Sequence, residues 1–194
     1  MAITSGIFSS EPTFEDRLIG SLEELAKLVE HLKGIGLKVV LTSGSFDLVH
    51  LGHVKYLARA KELGDVLVVG VDSDAKIQAR KGRDRPLVPQ AERLEMLAHQ
   101  RPVDVLYLKD DDERWALIKA VRPDVLVLTA DHSYSPEDLE GLGKLCGSVQ
   151  TIERQASVTT SERIRQLYMH LGERLGPKLA ETLPGLIDGM LKRP

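Results

Sequence analysis

Residues 44–53 (GSFDLVHLGH) stand between a short apolar run at 38–42 (KVVLT) and a segment with helical spacing. Gly44 permits a tight exit from a strand. His50 and His53 are three residues apart, so their imidazoles project from one face of a helical turn. The free amides at a helix start form a partly positive site that suits a phosphate. The stretch therefore predicts a strand, a phosphate-binding turn and a helix in succession.

The same alternation of apolar runs and helical segments continues along the chain. Strands are predicted at 38–42, 66–71, 103–108, 125–128 and 149–152, and helices at about 50–63, 90–99, 112–121, 136–145 and 160–171. Continuous apolar runs are typical of strands that are covered on both faces, as in a parallel sheet. The pattern predicts an α/β fold, a Rossmann-like doubly wound parallel sheet of five strands with flanking helices. Ligands in such folds bind beyond the carboxyl ends of the strands, where the strand order reverses.

The sequence divides into three predicted segments. They are an N-terminal segment at 1–37 (an irregular arm over 1–20, then one amphipathic helix), the α/β domain at 38–171 and a helical C-terminal tail at 172–194. Pro177 and Pro184 interrupt the apolar pattern of the tail, which predicts two short helices there.

Composition excludes several classes of protein. The chain has 194 residues, 42% of them hydrophobic, and a formal net charge of −3. One cysteine, Cys146, cannot form a disulfide framework, and no apolar run approaches the roughly 20 residues of a membrane helix. With no signal-peptide pattern either, we expect a cytoplasmic protein without a membrane partner. The near-neutral charge argues against nucleic-acid binding, so any phosphate site must be local.

The run GSFDLVHLGH, continued by VKYLARAKELGD at 54–65, resembles the signature of the cytidylyltransferase-like nucleotidyltransferases. Their H-x-G-H motif is met by residues 50–53, and the likeness covers about 38–168. Within that family the chain is most similar to the heptose 1-phosphate adenylyltransferases and the glycerol-3-phosphate cytidylyltransferases. The resemblance implies in-line attack of a substrate phosphate on the α-phosphorus of a nucleoside triphosphate, with release of pyrophosphate. Mg²⁺ is expected with the triphosphate, whose several negative charges must be offset, and the sequence shows no dedicated protein metal site. A homodimer is expected from the resemblance alone.

The resemblance also assigns site residues. The catalytic set is His50, His53, Asp47, Lys81 and Arg93, and Arg85 is expected to contact the substrate phosphate. The nucleotide-binding set is Ser43, Gly44, Ser45, Phe46, Gly52, Asp131, Arg154, Val158, Thr159 and Thr160. Hydroxyls at 159–161 can also cap a helix, but capping accounts for one of them and not for all three. A basic loop such as 81–86 (KGRDRP) is more often solvated than ligand-binding, and the resemblance favours phosphate contact here.

Residues 128–134 (LTADHSY) depart from the K-G-G-D-Y run of the heptose enzymes and keep only Asp131. The nucleotide and the acceptor therefore stay open at this point. The favoured hypothesis is adenylyl transfer from ATP to a sugar phosphate such as heptose 1-phosphate, as in ADP-heptose synthesis for lipopolysaccharide. The alternatives are cytidylyl transfer from CTP to glycerol 3-phosphate or a related polyol phosphate, and a non-catalytic nucleotide-binding regulatory module. A dinucleotide oxidoreductase is excluded because the first loop lacks G-x-G-x-x-G.

Overall fold

A computed structural model describes residues 6–111, 113–153, 155 and 160–191. The chain divides into two compact units, Met1–Ala156 and Ser157–Pro194. The first unit holds the elements α1 (Phe14–Arg17), β1 (Leu18–Ile19), α2 (Leu22–Gly34), β2 (Val39–Gly44), α3 (Leu51–Lys61), β3 (Val66–Asp72), α4 (Asp74–Lys81), α5 (Gln90–Ala98), β4 (Val105–Lys109), α6 (Ala116–Val121), β5 (Val125–Thr129), α7 (Pro136–Gly143) and β6 (Ser148–Ile152). The second unit holds α8 (Thr160–Leu191).

The strands form one sheet in the order β1-β4-β3-β2-β5-β6, and each neighbouring pair is parallel. The chain first adds β3 and β4 on one side of β2, then crosses over and adds β5 and β6 on the other side. The direction in which strands are added thus reverses at β2. The crevice expected at such a reversal lies between the carboxyl ends of β2 and β5. The predicted α/β fold with a parallel sheet is confirmed.

The described sheet has six strands, so the predicted count of five is wrong. The additional strand, β1, lies within 1–20, where the sequence predicts an irregular arm. Its two residues pair with Leu106 and Tyr107 of β4. A strand of two residues is too short to show an alternating pattern, and only its distant partner holds it in the sheet.

Two apolar clusters cover the two faces of the sheet. The cluster under α2 and α6 includes Leu25, Leu41, Val68 and Leu117. The cluster under α3 and α5 includes Val40, Leu57, Val69 and Leu97. Successive residues of one strand therefore face opposite clusters, as the pleat requires. All seven residues of β3 are buried, which explains its continuous apolar sequence.

A polar contact inside the core fixes α3 against the sheet at the reversal point. The Thr42 hydroxyl lies 2.6 Å from the Tyr56 hydroxyl, and both lie near the Val127 carbonyl oxygen, at 3.1 and 3.3 Å. Buried hydroxyls need such partners, because an unpaired polar group in a core is costly. The contact joins β2, α3 and β5 next to the loop that carries the histidine pair.

Several boundaries differ from the sequence prediction. Helix α4 was not predicted, and α6 begins at Ala116 because Trp115 has a left-handed backbone, with φ of 64°. Helix α8 runs through Pro177 and Pro184, so the prediction of two short helices is wrong. Each proline removes one helix hydrogen bond, and the strong helix formers around them (Leu, Lys, Ala and Glu) keep the helix continuous. No helix of the described chain has the length and apolar character to cross a membrane.

Gly64 lies in the turn before β3, where a side chain has no space. A Cβ atom there would stand 2.7 Å from the Lys38 carbonyl oxygen and 2.7 Å from a Val40 methyl group. We expect Gly64→Ala to lower the free energy of unfolding by about 1–3 kcal/mol, through overpacking against backbone. Urea unfolding measures this change in the free energy of unfolding. The control is Gly34→Ala, which meets nothing within 4 Å; equal midpoints for the two variants would contradict the expectation.

Candidate active site

The paired histidines stand at the start of α3. His50 is the helix N-cap, and its Nδ1 atom accepts a hydrogen bond of 3.0 Å from the Gly52 amide. The His50 amide in turn lies 3.4 Å from Nδ1 of His53. The two ring centroids are 4.1 Å apart, with 33° between the ring planes. Because Nδ1 of His50 accepts, the neutral ring carries its proton on Nε2, where it can donate to a ligand.

His53 is neutral at physiological pH. Burial, with a smaller contribution from His50, lowers its pKa to about 4, and the Leu48 carbonyl acts in the opposite direction. The ring is packed edge-on against Phe46, with centroids 5.5 Å apart. Phe46 has a left-handed backbone, with φ of 47°, and its ring is buried. A Cβ on Gly44 would come within 3.2 Å of that ring, so glycine suits the strand exit.

The low pKa of His53 predicts a pH dependence of stability. The unfolded imidazole has a pKa of about 6.5, so the unfolded chain takes up a proton first as the pH falls. Stability from the neutral ring is fully present above about pH 6.5 and is lost between there and pH 4. We expect the ring signals of His53 in an NMR titration to show no protonation above pH 5. In His53→Gln the corresponding loss of unfolding free energy should vanish; a ring that titrates near pH 6.5 would contradict this.

Asp47 joins the loop that carries the histidines (44–53, the histidine loop) to the basic loop at 81–86, called the basic segment below. Its carboxylate is 2% exposed, and Oδ1 accepts from the amides of Leu87 and Val88 at 2.8 and 3.0 Å. Oδ2 accepts from Nε of Arg85 at 2.6 Å. The carboxylate thus has protein partners on both oxygens. Through Arg85 it holds the basic segment against the histidine loop, so Asp47 orients that loop, and its assignment to the catalytic set stays a prediction.

The basic segment forms a cation cluster beside the histidines. Lys81 is the last residue of α4, and it lies close enough to His53 to contribute to the low pKa of that ring. Partial burial, followed by the nearby charges of Arg80 and Arg85, lowers the pKa of Lys81. Like charges held together in this way are relieved by an anion. The cluster therefore suits a ligand with several negative charges, such as a triphosphate.

Arg93 is completely buried, with 0% exposure. Its Nε donates to the Val88 carbonyl at 3.0 Å, one terminal nitrogen donates to the Ser45 carbonyl, and the other donates at 2.8 Å to the Asp72 carbonyl and the Asp74 carboxylate. The guanidinium thus joins the histidine loop, the end of β3 and Val88, which follows the basic segment. The assignment of Arg93 to the catalytic set stays a prediction, and these hydrogen bonds establish a positioning role.

Replacing Arg93 by lysine tests that role. An ammonium group cannot reproduce the planar fork that reaches three carbonyl groups. We expect Arg93→Lys to lower the free energy of unfolding by about 3 kcal/mol or more, since buried acceptors lose their donor. The matched control is Arg59→Lys, at an exposed ion pair with Glu62 on α3, which should change stability by less than about 0.5 kcal/mol. Similar urea midpoints for both variants would refute the positioning role.

Sequence reasoning missed a second charged cluster at the strand ends. The Asp72 carboxylate is 6% exposed and contacts Arg80 at 2.8 Å and Lys109 at 3.0 Å. Burial alone would raise the pKa of Asp72, but these two cations outweigh it and hold the pKa below its usual range. Arg80 also donates to the Ser45 hydroxyl at 2.7 Å. The available signal was the charged residue that ends each of the apolar runs 66–72 and 105–109.

The other predicted nucleotide contacts divide into two groups. Asp131 follows β5 and lies near α3, where it adds to the effect of burial in raising the pKa of Tyr56 to about 12. Arg154, Val158 and Thr159 lie outside the described residues, and so does the side chain of Thr160, whose backbone begins α8. The second nucleotide-binding segment therefore stays a prediction.

Fold and site together define a class: an α/β protein with a histidine pair and cations at the reversal point of a parallel sheet, as in nucleotidyltransferases. The family model described as Cytidylyltransferase-like matches residues 41–171. The chain belongs to the cytidylyltransferase-like family, and the resemblance seen in the sequence is confirmed.

Two curated proteins of similar sequence were compared with the chain. The chain is 39% identical over 150 residues to the bifunctional protein HldE of Nitratiruptor sp., covering 77% of this chain and 32% of that protein. It is 45% identical over 126 residues to the bifunctional protein HldE of Geobacter metallireducens, covering 65% of this chain and 25% of that protein. The chain thus spans about a third or less of these curated relatives.

Solved structures share the fold. The lipopolysaccharide core biosynthesis protein from Thermoplasma volcanium is 29% identical, with a TM-score of 0.55 over 63% of this chain and 100% of that one. The pantoate-beta-alanine ligase from Francisella tularensis has a TM-score of 0.54 at 13% identity, over 73% of this chain and 68% of that one. The latter likeness concerns the fold alone.

Proposed function

We propose that this chain is a nucleotidyltransferase that transfers an adenylyl group from ATP to heptose 1-phosphate and releases pyrophosphate. The observation that carries the proposal is the pair of imidazoles, 4.1 Å apart, at the amino end of α3 and at the reversal point of the sheet. The similarity to HldE proteins favours the heptose substrate and ATP over glycerol 3-phosphate and CTP.

The reaction needs stabilisation of charge more than covalent help from the protein. An oxygen of the acceptor phosphate attacks the α-phosphorus of ATP, the bond from that phosphorus to the bridging oxygen breaks, and pyrophosphate leaves in line with the new bond. The attacking phosphate is an anion, so no proton has to be removed from it. His50 and His53 donate hydrogen bonds to the α-phosphate oxygens, where negative charge spreads in the transition state.

A neutral His53 suits this role. With a pKa of about 4 the ring stays neutral at pH 7, so it donates as a dipole and does not lose a proton to the substrate. Burial next to Phe46 restricts the ring to one orientation. A donor whose geometry is already correct pays no reorganisation cost during the reaction.

Cations hold the remaining phosphate charge. Lys81 faces the β- and γ-phosphates, and Arg85, anchored to Asp47 through Nε and one terminal nitrogen, offers its other terminal nitrogen to phosphate. The backbone of 43–46 approaches the nucleotide, and Thr159 and Thr160 bind triphosphate oxygens. Asp131 lies at the nucleotide side of the crevice. These assignments follow the family motif residue by residue.

Mg²⁺ fits this site as a companion of the triphosphate. Among residues 6–111, 113–153, 155 and 160–191, no group of three or more histidine, cysteine, aspartate or glutamate side chains is arranged to hold a metal ion. The cation prefers oxygen ligands and usually retains water when it binds phosphates, so the triphosphate would supply its ligands. When bound, Mg²⁺ offsets phosphate charge. The homodimer and the cytoplasmic location stay predictions.

A pyrophosphate-release assay tests the function. We expect ATP with heptose 1-phosphate to give the highest kcat/KM among ATP and CTP paired with heptose 1-phosphate and glycerol 3-phosphate. His53→Ala should lower kcat by about 10²–10³-fold, as expected when a donor to the transition state is removed. The control is His99→Ala, an exposed histidine at the end of α5, which should leave kcat unchanged.

The other outcomes separate the alternatives. Turnover with CTP and glycerol 3-phosphate alone would assign the chain to the second class of acceptor. Nucleotide binding without turnover in any pairing would favour the regulatory module. An unchanged kcat in His53→Ala would remove the histidine pair from the mechanism.

A further inference from the structure

Helix α8 carries a row of exposed leucines, called the leucine ridge below. Its members follow one another at intervals of four residues, and each is between 44% and 60% exposed: Leu167, Leu171, Leu175, Leu179 and Leu183. Side chains four residues apart lie on one face of a helix and form a ridge along it. A single exposed leucine needs no explanation, but a continuous apolar surface is typical of an interaction site. The family model ends at residue 171, so three of the five leucines lie beyond the part of the chain that it matches.

A row of small residues runs beside the leucine ridge. Gly172, Gly176 and Ala180 each follow a leucine of the ridge by one residue, so they form a neighbouring row with the same interval of four. A Cβ atom added to Gly172 or Gly176 would meet nothing within 4 Å. The row is therefore a shallow groove parallel to the ridge, and it is called the small-residue groove below.

The composition of α8 indicates that the helix needs a partner. Two prolines and four glycines stand among its 32 residues, and these residue types have the lowest helix propensity. In proteins most helical stability comes from packing of an apolar face, whereas the side chains of 165–184 are all exposed. Pro177 and Pro184 are seven residues apart, so they share one side of the helix, away from the leucine ridge. A partner on the ridge would therefore stabilise α8 without contacting the proline rings.

The charges of α8 favour a protein partner over a lipid surface. Between residues 160 and 191 the sequence has four basic and four acidic residues. An amphipathic helix that lies on a membrane is typically rich in lysine and arginine on its polar face, because these residues attract anionic lipids. A helix with no net charge lacks that attraction.

We propose that α8 joins two copies of this chain, with the leucine ridge of each copy packed in the small-residue groove of the other. Ridge and groove lie side by side on one helix and have the same spacing, so the surface is complementary to itself, as a twofold interface requires. Ridges at intervals of four that pack into grooves at intervals of four give a crossing angle of about −50°. The resemblance implies a homodimer without assigning its interface, and the proposal assigns one in the second unit, independently of the proposed function.

Sedimentation equilibrium of the full chain, over a range of micromolar concentrations, tests the proposal. The wild type should form dimers. Leu175→Glu combined with Leu179→Glu should raise the Kd of the dimer about 100-fold or more, because carboxylates without partners would be buried in the contact. The matched control is Gln166→Glu combined with His170→Glu, which adds the same charge to the opposite side of α8. The Kd of this control should stay within about twofold of the wild-type value, as is usual for exposed charges.

A second variant separates a fitted interface from general adhesion of apolar surfaces. Gly176→Leu makes α8 more apolar but fills the small-residue groove. It should raise the Kd of the dimer about 10-fold or more, because the opposing leucines lose their space. Glu181→Leu is its control, since it adds the same side chain on the side of the helix away from the ridge, and it should leave the Kd unchanged.

The near-UV circular dichroism of Trp115, the single tryptophan, shows that the first unit of each variant is folded. A monomeric wild type overturns the proposal, and so does a dimer whose Kd is the same in the double glutamate variant. A tighter dimer in Gly176→Leu also overturns it, because the groove would then have no role. A wild type that stays monomeric but sediments with vesicles of phosphatidylethanolamine and phosphatidylglycerol would assign the leucine ridge to a lipid surface instead.

Discussion

The buried guanidinium of Arg93 holds together three segments that are distant in sequence. It takes the carbonyl of Ser45 from the histidine loop, the carbonyl of Asp72 from the end of β3 and the carbonyl of Val88 from the segment after the basic loop. A cation without solvent contact is costly unless its donors are satisfied, so these acceptors have little freedom to move apart. The geometry of the carboxyl edge depends on this one side chain, because loops alone would not keep their relative positions.

Two buried carboxylates, those of Asp47 and Asp72, add ion pairs to the contacts of Arg93. Asp47 draws the basic segment toward the histidines through Arg85 and two backbone amides. Asp72 draws Arg80 and Lys109 toward each other from opposite sides of β3. Asp47 is paired with one cation, Arg85, whereas Asp72 is paired with two, Arg80 and Lys109. The second cation at Asp72 and the Lys81 ammonium near His53 place positive charge at the strand ends of a chain whose net charge is −3.

The two faces of the sheet carry different functional groups at its carboxyl edge. On the face of α3 lie the two histidines, with Lys81 close to His53. On the face of α6, Lys109 and Trp115 form a walled cavity. The two regions meet at 43–45, where the chain leaves β2. Strand order explains the meeting point, because β2 lies between the two halves of the sheet and its exit loop belongs to both.

Sequence reasoning was successful where a short-range rule applied. The short runs at 38–42, 66–71, 103–108, 125–128 and 149–152 predicted the five longer strands. In β2, β3, β4 and β5 most positions are buried, which requires continuous apolar residues, whereas β6 is a partly exposed edge strand. The spacing of His50 and His53 placed them on one helical turn, and the rings are neighbours at the start of α3. Strand β1 was missed because two residues carry no period, and α4 was missed because its polar sequence hides its single buried residue, Ile77.

By itself, the sequence determined the class of fold, the family and the position of the histidine pair, because strand burial, helix periodicity and motif spacing are local properties of the chain. Only the tertiary structure decided that Arg93 is buried beneath the loops and that Lys109 meets Asp72 across β3 and β4. These contacts join residues whose separation in sequence carries no regular spacing. They exist because the carboxyl ends of parallel strands lie at one edge of the sheet. Charged side chains at the ends of neighbouring strands can therefore form ion pairs there.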